Sequence, residues 1–121
     1  MTGYIPFLPR FHEAIRLGVK TMTCRTRKYG EPGDILNTNL RGVSIQILEV
    51  RHVRLGDVAD NNFIDEGCES RGEFVNVWEA IHPQSGFNPE KSVWLHIFRV
   101  ADTNLQISQA TDTSAHGVRE V

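Results

Sequence analysis

The segment Lys91 to Val100 leaves the fewest choices for the fold. Val93, Leu95 and Ile97 fall at one parity and Trp94, His96, Phe98 and Val100 at the other. A strand that is apolar on both faces needs cover on both, so it belongs in the middle of a sheet. His96 reads there as a satisfied, semi-buried histidine, with a place in a cleft wall as the sharper alternative. A chain of 121 residues supplies one core and one domain.

The cover comes from two helical patterns. Phe7, Phe11, Ala14 and Ile15 share a stripe across Arg10 to Leu17, with Pro9 in the first turn and Gly18 as the stop. Ser70-Arg71-Gly72-Glu73 is a capping box, and Phe74, Val77, Trp78 and Ile81 follow at i, i+3, i+4 and i+7, which predicts a helix from Ser70 to about His82. Phe74 and Trp78 read as core, because their spacing is what helix docking requires.

Further strands are short. Ile35 and Leu36 follow the turn-rich Tyr29 to Asp34, and Val43, Ile45 and Ile47 alternate before Leu48 and Val50 move the apolar side to the other parity, as a bulge would. Residues 56–65 read as a polar connection holding Val58, Phe63 and Ile64, with room for a helical turn. The order helix, strand, strand, strand, link, helix, strand favours a small α+β domain with a curled sheet. The domain spans residues 1–101. Residues 102–121 read as a polar C-terminal tail that adds little to the core.

One stretch carries more chemistry than packing needs. From Gly18 to Lys28 the chain places Met22 and Cys24 on one side of a strand and Thr21, Thr23, Arg25 and Arg27 on the other, with Lys20 at the turn and no acidic residue between Lys20 and Lys28. Two hydroxyls and two guanidiniums suit a phosphate, a carboxylate or a nucleobase; a solvated edge strand is the plainer alternative. Strict alternation puts Lys20 on the Met22 side, away from Thr23, so only a non-extended Val19 or Lys20 lets the two converge.

Composition narrows the function classes. A net charge of -2 argues against wrapping nucleic acid by bulk electrostatics. Cys24 and Cys68 stand outside any metal-ligand spacing and read as free, reduced thiols of a cytoplasmic protein. No apolar run reaches the roughly 20 residues of a membrane span. Glycine-rich phosphate loops, dinucleotide fingerprints, nucleophile elbows and zinc signatures are all missing, so no metal or cofactor is expected.

Together, Gly18-x-Lys20-Thr21-x-Thr23-x-Arg25, Tyr29-Gly30-x-Pro32-Gly33-Asp34, Glu66-Gly67 with Ser70, Glu73-Phe74 and Trp78, and Val93-Trp94-x-His96-x-Phe98 resemble the ASCH domain family of the PUA-like superfamily. The resemblance covers about Phe7 to Val100 and implies a small PUA-like pseudo-barrel of mixed strands with flanking helices, whose cleft takes RNA or a modified nucleoside. It is similar in part to a branch that hydrolyses N4-acetylcytidine, which implies catalytic roles for Lys20, Thr23 and Glu66, with Arg25 as the signature arginine; Thr21, Arg25, Arg27 and Lys28 are the ligand-binding candidates, the first and the last two on their own side-chain chemistry.

Three functions remain open on the sequence. As a binding module, Lys20, Thr23 and Arg25 would hold phosphate or base edges and Glu66 would accept from an exocyclic amine, giving short single-stranded RNA or a nucleoside or nucleotide as partner. As an amidohydrolase, Thr23 would need a base, and Lys20 can be one only in its neutral form. A protein-interaction domain without a ligand is the third. Binding ranks first because it demands complementarity alone, while hydrolysis demands placement within about 0.5 Å.

Overall fold

The computed structural model describes residues 3–101, so the expected tail lies outside the described residues. Five strands, β1 (Gly3–Tyr4), β2 (Met22–Arg25), β3 (Ile35–Asn37), β4 (Ser44–Arg54) and β5 (Ser92–Val100), form one sheet in the spatial order β1, β3, β4, β5, β2. β1 pairs with β3 in parallel and the other ladders are antiparallel. The doubly apolar β5 is central, between β4 and β2. β1, which is too short to leave a period, has no counterpart in the sequence reading.

The bulge in β4 lies where the parity shift puts it, between Ile47 and Glu49, opposite Phe98 and Ile97. It also alters β5. Val93 and Leu95 are buried at one parity, then His96 and Phe98 at the other, while Ile97 is only half-buried. The expected strict alternation of Val93, Leu95 and Ile97 therefore ends at the bulge, where the face that is covered changes.

Among the described residues no ladder joins the two edge strands, so the sheet is open rather than a closed barrel. It is nevertheless curled: Arg25 on β2 donates from Nη2 to the carbonyl of Pro6, two residues past β1, at 2.6 Å. A side chain thus ties together the two edges that a barrel would join by backbone.

The first helical pattern divides. A 3-10 turn over Pro9–Phe11 precedes α1 (His12–Arg16), with Phe11 at φ -101° and ψ -1° between them. The link after β4 is a true helix, α2 (Leu55–Asn61), rather than a polar connection with a single turn; its Leu55, Val58 and Ala59 are buried at i, i+3 and i+4. Gly56 lets it approach the 86–90 loop, since a Cβ there would stand 2.8 Å from Pro89 Cβ. α3 (Arg71–Ile81) starts at Ser70, whose Oγ accepts from Glu73 N at 3.0 Å. The return half of the capping box differs from expectation. Glu73 Oε1 accepts from Glu69 N, one residue before the cap, while Oε2 pairs with Arg10.

The core is one cluster around Ile5, Phe7, Ile15, Leu36, Ile45 and Phe98, with the Phe7 and Phe98 rings 5.6 Å apart. Cys24 and Cys68 are free and buried. No described helix is long and apolar enough to cross a membrane.

Candidate functional site

Two glycine turns bring the site together. After α1, Gly18 takes φ +79°, and the N-H groups of both Val19 and Lys20 donate to Ala14 O at 2.8 and 3.1 Å. The chain is therefore not extended at 19–20, which is the condition for Lys20 to escape strand alternation. Thr21 N and Met22 N then donate to Asp65 O, pinning the start of β2 to the 62–68 loop. In that loop Gly67, at φ +94°, folds Glu66 back beneath Lys20.

Lys20, Thr23, Arg25 and Glu66 line one cavity of about 210 Å³. Its opposite wall is apolar: Phe7, Phe11, Phe74 and Trp78. A dry cavity of about 150 Å³ accommodates benzene, so this one suits a single ring with substituents. The four polar residues are all less than a tenth exposed, which removes β2 from the solvated-strand reading even though β2 is an edge of the sheet.

Lys20 Nζ meets three acceptors, Met22 O at 2.8 Å, Glu66 O at 2.6 Å and Glu66 Oε1 at 3.3 Å, and lies 4.6 Å from the centre of the Phe11 ring. An ammonium has three donors and all are engaged here. Arg25 donates from Nε to Thr23 Oγ1 at 2.9 Å and from Nη2 to Pro6 O, and stands 5.1 Å from the ring centres of both Phe7 and Tyr29. Because Thr23 Oγ1 accepts from Arg25, its own proton is left for another acceptor. Two buried atoms have no partner among the described residues: Arg25 Nη1, a donor, and Glu66 Oε2, an acceptor.

Burial pushes the Glu66 carboxyl above the usual carboxylate range, against the opposing pull of Lys20 and Arg25. Burial likewise lowers Arg25, although a guanidinium remains a cation in proteins. Cys24 is raised by burial and by the Glu66 charge, and Cys68 is pushed up to about 11 by burial, so both cavity-lining thiols hold their protons.

The remaining sequence candidates do not form the cavity wall. Thr21 is half-buried and spends its backbone on Asp65 and Phe98, while Arg27 and Lys28 are exposed, Arg27 over the Tyr29 ring and Lys28 paired with Glu31. None of the three lines the cavity. Conversely, Cys24, Thr26, Tyr29, Cys68 and His82 line it without having been singled out as site residues. Phe74 and Trp78 are core, as their spacing implies, and cavity wall as well. Among the described residues no cluster of His, Cys, Asp and Glu could hold a metal ion.

His96 lies behind this site rather than in it. Its Nε2 accepts from Tyr29 N at 3.1 Å and its Nδ1 donates to Thr23 O at 3.3 Å, which fixes the neutral tautomer. Burial holds its pKa below the ordinary 6.5. The unfolded chain therefore takes up this proton before the folded one does, and stability falls as the pH drops below about 6.5. Glu66, raised in the fold, has the opposite sign: its contribution is complete below about 4.5 and declines as the pH rises through its folded pKa. Urea unfolding at pH 7 and pH 5 should show the loss, and His96→Gln should remove most of that slope; an unchanged slope would assign it to other groups.

No family model matches the sequence, and no curated protein matches it. Solved structures do. Hypothetical protein PH0355 is 16% identical with a TM-score of 0.68, over 84% of this chain and 100% of that one. Protein EF3133 from Enterococcus faecalis V583 is 15% identical with a TM-score of 0.65, over 84% of this chain and 81% of that one. The ASCH domain from Lactobacillus crispatus JV V101 is 14% identical with a TM-score of 0.56, over 81% of this chain and 79% of that one. At these identities the likeness speaks for the fold, an α+β sheet with flanking helices that an ASCH domain shares.

Proposed function

We propose that this chain is an ASCH-type, PUA-like module that recognises one base of RNA, or a modified nucleoside or nucleotide, in the cavity lined by Lys20, Thr23, Arg25 and Glu66. The observation that carries the reading is the unpartnered pair, Arg25 Nη1 and Glu66 Oε2, buried on residues that line one ring-sized cavity. Leaving such atoms unpaired costs roughly 1–3 kcal/mol each, a cost that a ligand would relieve. With the free proton of Thr23 the site offers two donors and one acceptor. Cytosine presents the complement, an amine at N4 and acceptors at N3 and O2. Uracil has a carbonyl where Glu66 needs a donor.

Titration calorimetry with cytidine and uridine tests this. Cytidine should bind at least about tenfold more tightly, because a carboxylate left facing a carbonyl is a buried mismatch. Equal affinities, or no binding of either, would overturn the assignment.

The amidohydrolase reading has one observation in its favour, the presence of Lys20, Thr23 and Glu66 on a single cavity. Against it stands the engagement of Lys20 Nζ by three acceptors, with Thr23 bonded to Arg25 instead. Incubation with N4-acetylcytidine separates the two. Release of cytidine and acetate, lost in Thr23→Ala, would establish hydrolysis; binding without product would leave recognition alone.

A further inference from the structure

Base recognition in the cavity, if it holds, leaves the sugar and anything attached to it at the mouth, past Thr26 and Tyr29. The geometry points to Arg27 as a phosphate-binding group at that mouth, making the ligand a nucleotide, free or within a chain, rather than a bare nucleoside. This rests on the reading above and deepens it.

Three observations converge on Arg27. Thr26 before it and Tyr29 after it both line the cavity, so Arg27 is placed at its edge by the chain itself. Its guanidinium lies 4.0 Å from the centre of the Tyr29 ring, and the buried Arg25 guanidinium is 5.1 Å from the same centre. One aromatic ring therefore touches both the inner cation and the outer one. Finally, Arg27 pairs with no carboxylate among the described residues, whereas its neighbour Lys28 is engaged by Glu31 at 2.7 Å.

Stacking fixes the plane of a guanidinium while leaving its N-H edge free. A phosphate takes two parallel N-H bonds from such an edge. Exposed charge pairs add little when both partners are mobile, but here the cation is already held by the ring and less freedom is lost on binding. Within the cavity Lys20 and Arg25 stand against Glu66, and in the segment that follows β2 Arg27 and Lys28 stand against Glu31, so the local balance favours an anion despite the net negative chain.

Calorimetry on the full chain with cytidine, cytidine 5′-monophosphate and tricytidylate tests the inference. The monophosphate should bind about tenfold more tightly than cytidine, and the advantage should shrink as salt is raised. In Arg27→Ala the ratio of nucleotide to nucleoside affinity should collapse to about one; Arg27→Lys, a point charge without the planar edge, should retain part of it. A further gain for tricytidylate over the monophosphate would identify the phosphate as one within a strand, and its absence a free nucleotide. Cytidine binding that phosphate does not improve, or an Arg27→Ala ratio equal to that of wild type, would overturn the role of Arg27 and leave base recognition standing. Failure of all three ligands to bind would overturn base recognition and the role of Arg27 together.

Discussion

Replacing Lys20 by methionine is expected to lower the free energy of unfolding by about 3–5 kcal/mol, the range found when one partner of a buried ion pair is removed. The stem of methionine fills much of the same space against Phe11, so packing is not the main loss. What changes is electrostatic: Glu66 loses the cation that most opposes its burial, and Met22 O, Glu66 O and Glu66 Oε1 lose their donor. Urea unfolding at pH 7 measures the effect directly. For a domain of this size each kcal/mol moves the thermal midpoint by about 4–8 °C, so the variant should melt more than about 10 °C lower. Lys20→Met with Glu66→Leu should recover a good part of the loss, because both charges are then gone. A single-variant loss below about 1 kcal/mol, the range of exposed pairs, would mean that solvent reaches the pair and screens it.

That stability role bears on function. A lysine whose donors are all engaged by the fold contributes charge and shape to a ligand site, while a lysine serving as base must release one of those bonds. The geometry thus separates the two leading readings along a line that residue identity alone does not draw. Thr23 and Glu66 are required by both readings, and the bonding of Lys20, together with that of Thr23 to Arg25, bears on the choice between them.

The sequence and the structure diverge in instructive places. The central position of β5, the bulge after Ile47 and the Ser70 cap were legible because each leaves a local periodic or spacing signal that tertiary contacts did not override. α2 was not, because its short apolar stripe of Leu55, Val58 and Ala59 is interrupted by Gly56, whose lack of a side chain serves the approach of Pro89. β1 is two residues long and exists through its pairing with β3. In the site, the convergence of Lys20 with Glu66 depends on two backbone turns and on Asp65 O, none of which side-chain spacing encodes. Thr21 and Arg27 were grouped with Thr23 and Arg25 by strand alternation, but β2 ends at Arg25 and neither lines the cavity wall. Tyr29 read as the start of a turn-rich loop and as part of a family motif, yet its ring also links two guanidiniums and its N-H holds His96.

Gly67→Ala should cost roughly 2–4 kcal/mol and remove ligand binding, although it adds a single methyl group. Gly67 sits at φ +94°, where an L side chain is strained, and a Cβ there would lie 3.0 Å from Phe11 Cδ1 and 3.3 Å from Lys20 Cδ. Relief requires either the Phe11 ring or the lysine stem to move, and both line the cavity. Two other glycines separate these causes. Gly18→Ala meets the same kind of backbone strain at φ +79° but has nothing within 4 Å of the new carbon, so it should show the backbone part alone. Gly72→Ala lies within α3, where its Cβ would meet only Ser70 Oγ at 3.9 Å, and should stabilise the helix by about 0.5–1 kcal/mol. Urea unfolding of the three variants gives the stability order, and cytidine titration of those that stay folded gives the functional one. If Gly67→Ala costs no more than Gly18→Ala and still binds, the contact with Phe11 and Lys20 is slack, and the cavity tolerates a displacement that the site described here does not allow.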